Sequence, residues 1–188
     1  LKNLDTDRPF QIVVYGTPAE ETLGSKCDMI KKGCFHDLDV AFMMHGGPNT
    51  CTDVRCLAQR SFHVTFHGKR AHAALAPDKG RSAFDALLAA FQGIEFLREH
   101  VPDDVRMHYT VAKLPGPANV VPAEAEGEFA IRSFSRKTLE GVCERFLDII
   151  KGASLIAGVD YEIKEGTFFF NKIPVLKLNE LLMNNAKL

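Results

Sequence analysis

Apolar residues follow two different textures along the chain, and the change falls after Asp53. Before it, apolar residues come in short unbroken runs. Phe10 to Tyr15 is rich in β-branched residues and is stopped by Gly16-Thr17-Pro18, and Leu38 to Met44 is stopped by His45-Gly46-Gly47-Pro48. Each reads as a buried strand ending in a loop. Glu21 to Lys32 lies between them with helical character, its apolar positions supplied by Cys27, Met29 and Ile30 and its C-cap by Gly33. A strand, helix and strand in that order is what a parallel α/β sheet produces.

After Asp53 the pattern alternates. Phe62, Val64 and Phe66 interleave with His63, Thr65 and His67, which predicts a strand over 61–67 with one wet face. A loop follows over 68–79. Gly80 to His100 carries Phe84, Leu87, Leu88, Phe91, Ile94 and Leu97 at three- and four-residue spacing, the stripe of an amphipathic helix, which Pro102 ends. Arg106 to Ala112 and Glu124 to Phe134 read as strands joined by a Pro/Gly-rich loop over 114–122. Ser135 to Lys151 is a second amphipathic helix, with Leu139, Val142, Phe146, Ile149 and Ile150, and Val159 to Lys164 a last strand. The order from Ser61 to Lys164 is therefore β-α-β-β-α-β, the split βαβ or ferredoxin-like arrangement. The tail holds an aromatic run, Phe168 to Phe170, which reads as core, and a helix over 175–186 with nothing of its own to pack on. The economical architecture is a small α+β domain, residues 55–166, inserted into a larger α/β domain. Residues 1–54 supply part of that α/β domain's sheet and 167–188 return to it.

Composition narrows the function. The 188 residues hold 23 basic and 24 acidic side chains for a net charge of −1, which argues against a nucleic-acid surface or a polybasic membrane anchor. No apolar run approaches the roughly 20 residues of a membrane span, and the polar start, Leu1 to Arg8, does not read as a signal peptide. Without an initial Met, the chain reads as processed or as an excerpt. The five cysteines are odd in number and form no CxxC pair, which points to reduced thiols in a cytoplasmic protein rather than a disulfide framework or zinc knuckle.

Six residues stand where chemistry collects. Glu20 and Glu21 directly follow the first expected strand, at the carboxyl end where open α/β sheets place their sites. One could bind a divalent metal while the other takes a proton from metal-bound water. The plainer reading is a pair of glutamates opening a helix. His45 ends the second expected strand, on the same sheet edge as Glu21, which makes the two a metal-ligand pair in type and location. The plainer reading is a turn histidine. His72 lies among small residues in Gly68-Lys-Arg-Ala-His72-Ala-Ala, open to another surface or simply exposed. Asn119, in the proline-bounded Ala118-Asn-Val-Val-Pro122, is either a fixed amide for a ligand or a turn residue. Arg132 ends a strand, its planar fork suited to a carboxylate, or it is a rim residue with a buried stem. His63 and His67 face the polar side of their strand and are assigned to the surface.

Together these pieces resemble the M20 family of metal-dependent peptidases and amidohydrolases, in the branch of aminobenzoyl-glutamate hydrolase and the β-alanyl dipeptidase-like proteins. The resemblance rests on Thr17-Pro-Ala-Glu-Glu21, Phe42-Met-Met-His45, Gly68-x-x-Ala-His72-Ala-Ala74 and Asn119-Val-Val-Pro122, supported by Gly80 to Ala86 and Phe96 to His100. It implies a zinc-peptidase-like catalytic domain interrupted by a ferredoxin-like lid that also forms the interface of a homodimer. It implies Glu20 as general base, Glu21 and His45 as metal ligands, and His72 reaching the partner's site to polarise the scissile carbonyl. Asn119 and Arg132 would hold substrate. The implied cofactor is zinc, with manganese or cobalt as alternatives. The implied reaction is hydrolysis of the amide bond of a small N-acyl amino acid or dipeptide. The family's first metal-ligand motif and its last histidine are absent from this sequence, and His45 precedes Gly46 where the family has proline. With two protein ligands against the three a catalytic zinc takes, the isolated chain is expected to bind metal weakly or not at all and to be inactive. The competing expectation is a non-catalytic dimerisation or ligand-binding module.

Overall fold

The computed structural model describes residues 9–20 and 24–186. Contacts divide the chain into two compact units, Leu1–Met44 and His45–Leu188.

In the first unit the expected helix is present as α1, Ser25–Lys31, with Gly33 in the left-handed conformation (φ 76°) just beyond it. The two expected strands are not formed. Phe10 to Tyr15 and Leu38 to Met44 run without regular structure, and their apolar side chains are exposed, Val14 at 89% and Met44 at 95%. A strand needs a neighbour to take its N–H and C=O groups, and neither run has a ladder partner among the described residues. Tyr15 is held locally. Its hydroxyl donates to the Cys34 carbonyl at 2.7 Å, and its ring meets Phe35 edge-on at 4.9 Å.

The second unit is built as the alternation requires. Four long strands, β1 (Ala58–His67), β3 (Arg106–Lys113), β5 (Glu124–Ser133) and β6 (Asp160–Phe169), form one antiparallel sheet in the order β3-β5-β1-β6. Helices α2 (Ala83–Arg98) and α3 (Arg136–Ala157) contact that sheet and each other. Both start on a serine whose hydroxyl accepts a backbone N–H three residues on, Ser82 from Asp85 and Ser135 from Thr138. The buried stripe of α2 is made of Ala83, Ala86, Leu87, Ala90, Ile94 and Leu97, while Leu88, expected in the stripe, is 49% exposed. Small residues take the contact positions and let the helix lie close to its neighbours. Leu139, Val142, Cys143, Phe146, Ile150 and Ala153 form the matching stripe of α3. Phe146 sits at the centre, its ring 4.8 Å from Phe62 and 5.1 Å from Phe129.

Two short strands are new relative to the sequence pattern. β2 (Ala71–His72) and β4 (Val120–Val121) lie inside the two expected loops and pair with each other, Ala71 against Val121 and His72 against Val120. The tail helix α4 (Leu176–Ala186) forms as expected and buries no residue. The aromatic run is a correction. Phe168, Phe169 and Phe170 are 42%, 38% and 49% exposed, because they sit at the end of an edge strand rather than under a helix. Instead of a core they meet guanidinium groups, Arg60 lying 5.7 Å from the Phe168 ring and Arg136 4.0 Å from that of Phe170.

Candidate functional site

The short ribbon brings together two of the residues singled out above. His72 lies on β2, and the carbonyl of Asn119, directly before β4, accepts the N–H of Ala73 at 3.0 Å. Residues far apart in sequence thus become neighbours on one two-stranded ribbon. After His72 the chain folds back on itself, Ala76 donating to the His72 carbonyl at 3.0 Å. The same tight turn aims the N–H groups of Ala74 and Leu75 at the His72 ring, each 3.2 Å from Nδ1. A backbone N–H can only donate, so Nδ1 must be the acceptor, and the neutral ring carries its proton on Nε2. His72 therefore presents an exposed N–H donor on a ring whose other nitrogen is held.

His45 has the opposite tautomer. Its Nδ1 lies 2.7 Å from the Gly46 carbonyl oxygen, which can only accept, so Nδ1 carries the proton and the lone pair lies on Nε2. A carbonyl on Nδ1 and a lone pair on Nε2 is how a metal-ligating histidine is usually oriented. Glu21, its expected co-ligand, lies outside the described residues. Among the described residues no three His, Cys, Asp or Glu side chains are placed to hold a metal ion. The donors in hand do not make up the three protein ligands of a catalytic zinc.

Glu20 is engaged at the start of α1. Its Oε2 accepts the backbone N–H of Lys26 at 2.8 Å and the Ser25 hydroxyl at 3.2 Å, and Lys26 Nζ lies 3.1 Å from Oε1. These contacts, the Lys26 backbone bond foremost, hold its carboxyl below the usual range. Glu20 thus accepts from the first turn of α1, and a base held this way is weaker than a free carboxylate.

Arg132 projects from the sheet face not facing the helices. Its register partners are Arg106 on β3 and Gln59 on β1, and it is exposed. Two like charges side by side on adjacent strands are destabilising without an anion between them. His63 and His67 occupy the same face but are half-buried rather than simply on the surface, and the Nε2 of His67 is out of solvent. His63 Nε2 is 3.0 Å from Glu126 and its Nδ1 4.0 Å from Glu128.

The ribbon itself was not legible in the sequence, because a two-residue strand carries no periodicity. The signal that marks it is the glycine at each end of the His72 loop, Gly68 and Gly80, where added side-chain atoms would collide with the neighbouring chain.

A peptidase dimerisation domain model matches residues 59–155. The human Xaa-Arg dipeptidase is 31% identical over 180 residues, covering 95% of this chain and 41% of the relative. One of the subunits of the Escherichia coli p-aminobenzoyl-glutamate hydrolase is 35% identical over 156 residues, 80% of this chain and 32% of the relative. This chain spans less than half the length of either. Among solved structures, an aminobenzoyl-glutamate utilization protein from Klebsiella pneumoniae superposes with a TM-score of 0.58 at 25% identity, covering 70% of this chain and 33% of its own.

Proposed function

The chain belongs to the M20 peptidase family, whose dimerisation domain it carries, and from that premise we propose that the whole protein hydrolyses the amide bond of a small N-acyl amino acid or dipeptide. The activities its relatives are named for, a dipeptidase and an aminobenzoyl-glutamate hydrolase, support the substrate class. In this reading residues 55–166 are the lid and dimerisation domain, and residues 1–54 and 167–188 belong to the catalytic domain. A divalent metal, zinc first and manganese or cobalt as alternatives, would supply an activated water when bound, with Glu21 and His45 as the donors from this chain. The same reading puts the protein in the cytoplasm, in keeping with five cysteines that are odd in number and form no CxxC pair.

The observation that carries the proposal is the His72 ring. An N–H donor fixed at Nε2, exposed and beside Asn119, is what an amide carbonyl needs as negative charge develops on its oxygen. Asn119 steadies the substrate beside His72, and Arg132, at the opposite end of β5 from the ribbon, takes the carboxylate of the substrate at the other site of the dimer. Glu20 moves the proton, which requires it to leave Lys26.

Activity on acyl-amino acids and dipeptides with the complete protein tests this. His72→Ala lowers kcat by about 10²–10³ and changes KM little, as loss of one oxyanion donor does. Glu20→Gln lowers kcat by about 10²–10⁴. If His72 serves the partner's site in a homodimer, mixing the two inactive variants restores about a quarter of wild-type activity, since half the dimers are mixed and each has one intact site. Full activity in His72→Ala rejects the assignment. A protein that dimerises and never turns over such substrates is the non-catalytic module instead.

A further inference from the structure

The His72 loop leaves the end of β1 and returns to the start of α2 through a narrow neck. At the neck the two passing segments bond each other in both directions, Lys69 N–H to the Arg81 carbonyl at 2.8 Å and Arg81 N–H to the Lys69 carbonyl at 2.9 Å. On either side Gly68 donates to the Ala123 carbonyl at 2.8 Å and Ala83 to that of Pro122 at 2.9 Å. The neck is thus tied to itself and to the connection between β4 and β5.

Two glycines stand where this closure leaves no room. A Cβ on Gly68 would fall against the Arg81 carbonyl oxygen and lie 2.9 Å from the Ala83 nitrogen, both backbone atoms that cannot rotate away. A Cβ on Gly80 would lie 2.9–3.0 Å from three side-chain atoms of Val121. Val121 is the β4 residue paired with Ala71, next to His72. Gly68 therefore lets the two sides of the neck pass, and Gly80 lets the neck seat against the ribbon.

We infer that Gly68 and Gly80 are positioning residues for His72: without their side chains the neck closes, and the closed neck keeps Nδ1 under the Ala74 and Leu75 amides with the Nε2 proton facing outward. The catalytic consequence rests on the proposed hydrolase, but the geometric claim does not.

Amide hydrogen exchange on the ¹⁵N-labelled 188-residue chain tests it without any activity. Ala74 and Leu75 are exposed residues whose amides are bonded to the His72 ring, so His72→Ala sets the scale for losing that bond. Gly68→Ala is expected to speed exchange at both amides by roughly tenfold, the loss of about one hydrogen bond, while amides of β1 keep their protection. Gly80→Ala gives a smaller acceleration, because a valine side chain can yield where backbone cannot. Gly152→Ala, whose Cβ would meet nothing within 4 Å, leaves Ala74 and Leu75 unchanged. If Gly68→Ala loses β1 protection as well, Gly80→Ala decides alone. Wild-type exchange at Ala74 and Leu75 in every glycine variant that keeps its sheet overturns the inference. In the active protein, faster exchange with unaltered kcat would remove His72 from the mechanism and leave the positioning intact. Lower kcat with unaltered exchange would refute the positioning.

Discussion

Two histidines of this chain carry opposite tautomers, and in each the choice is made by neighbouring backbone groups. Amides aimed at Nδ1 put the His72 proton on Nε2, and a carbonyl beside Nδ1 puts the His45 proton there instead. Sequence motifs singled out both residues, but neither motif says which nitrogen is protonated, because that depends on how the next one to three residues turn. Another local arrangement yields a pH effect. Glu95 accepts two bonds from Arg98, at 2.7 and 2.9 Å, and one from the Tyr109 hydroxyl, and Arg98 foremost lowers its pKa from 4.5 to about 2. A depressed carboxylate pKa contributes stability that is fully present above the unfolded value and is lost as pH falls through the folded one. The link between α2 and β3 should therefore weaken between pH 4.5 and about 2. The Glu95 side chain is 40% exposed, so solvent screens the pair and the effect is modest. A carbon-detected NMR titration should place the Glu95 midpoint near 2. An ordinary midpoint, or a thermal midpoint equally acid-sensitive in Glu95→Gln, would contradict the assignment.

At the level of elements, the central strands β1 and β5 and both sheet-packed helices were readable from periodicity, since each buries one face. The edge strands were readable too, although β3 buries only Met107 and β6 no residue. The N-terminal runs misled. An unbroken apolar run signals burial on both sides, yet a strand forms only where a neighbour completes its ladder, and Phe10 to Tyr15 has none among the described residues. Polar joints were equally hidden. The turn from β5 into α3 hangs on Asp104, 29 residues before Ser133. Asp104 Oδ2 accepts the Ser133 hydroxyl at 2.8 Å and the Phe134 N–H at 2.7 Å, and the Ser133 oxygen accepts the Ser135 N–H at 3.1 Å. Ser133 is fully buried, so removing its partner strands a hydroxyl out of water. Asp104→Ala should destabilise the domain by about 1–3 kcal/mol in denaturant titration. Asp104→Asn, which can still accept through its amide oxygen, should recover part of that. A neutral Asp104→Ala would mean that water replaces the carboxylate at no cost.

On the scale of the whole molecule, every residue of the hydrophobic core falls within 58–153, inside the second compact unit. A unit with its own core folds by itself. Residues 45–188 alone should therefore unfold cooperatively, and Phe146→Ala within them should lose about 3–5 kcal/mol. That unit also has surfaces a monomer rarely leaves bare. Among the described residues the sheet ends at β3 and β6, each paired on one side only, and an unpaired edge is an invitation to another strand. Exposed apolar side chains add to this: Phe96 on α2 at 66%, and Leu155 and Ile156 at the end of α3 at 73% and 79%. A second copy of the same unit can cover an edge and a helix flank at once, by a two-fold axis that makes the contact reciprocal. Residues 45–188 should accordingly run as dimers in sedimentation equilibrium, dissociating on dilution. Phe96→Ser, placed where little of the monomer core is disturbed, should weaken that association and leave the unfolding transition nearly unchanged, if α2 lies in the contact. A single species of monomer mass at about 100 μM, well above the micromolar range where a standard-sized interface holds, would exclude this unit as the site of assembly.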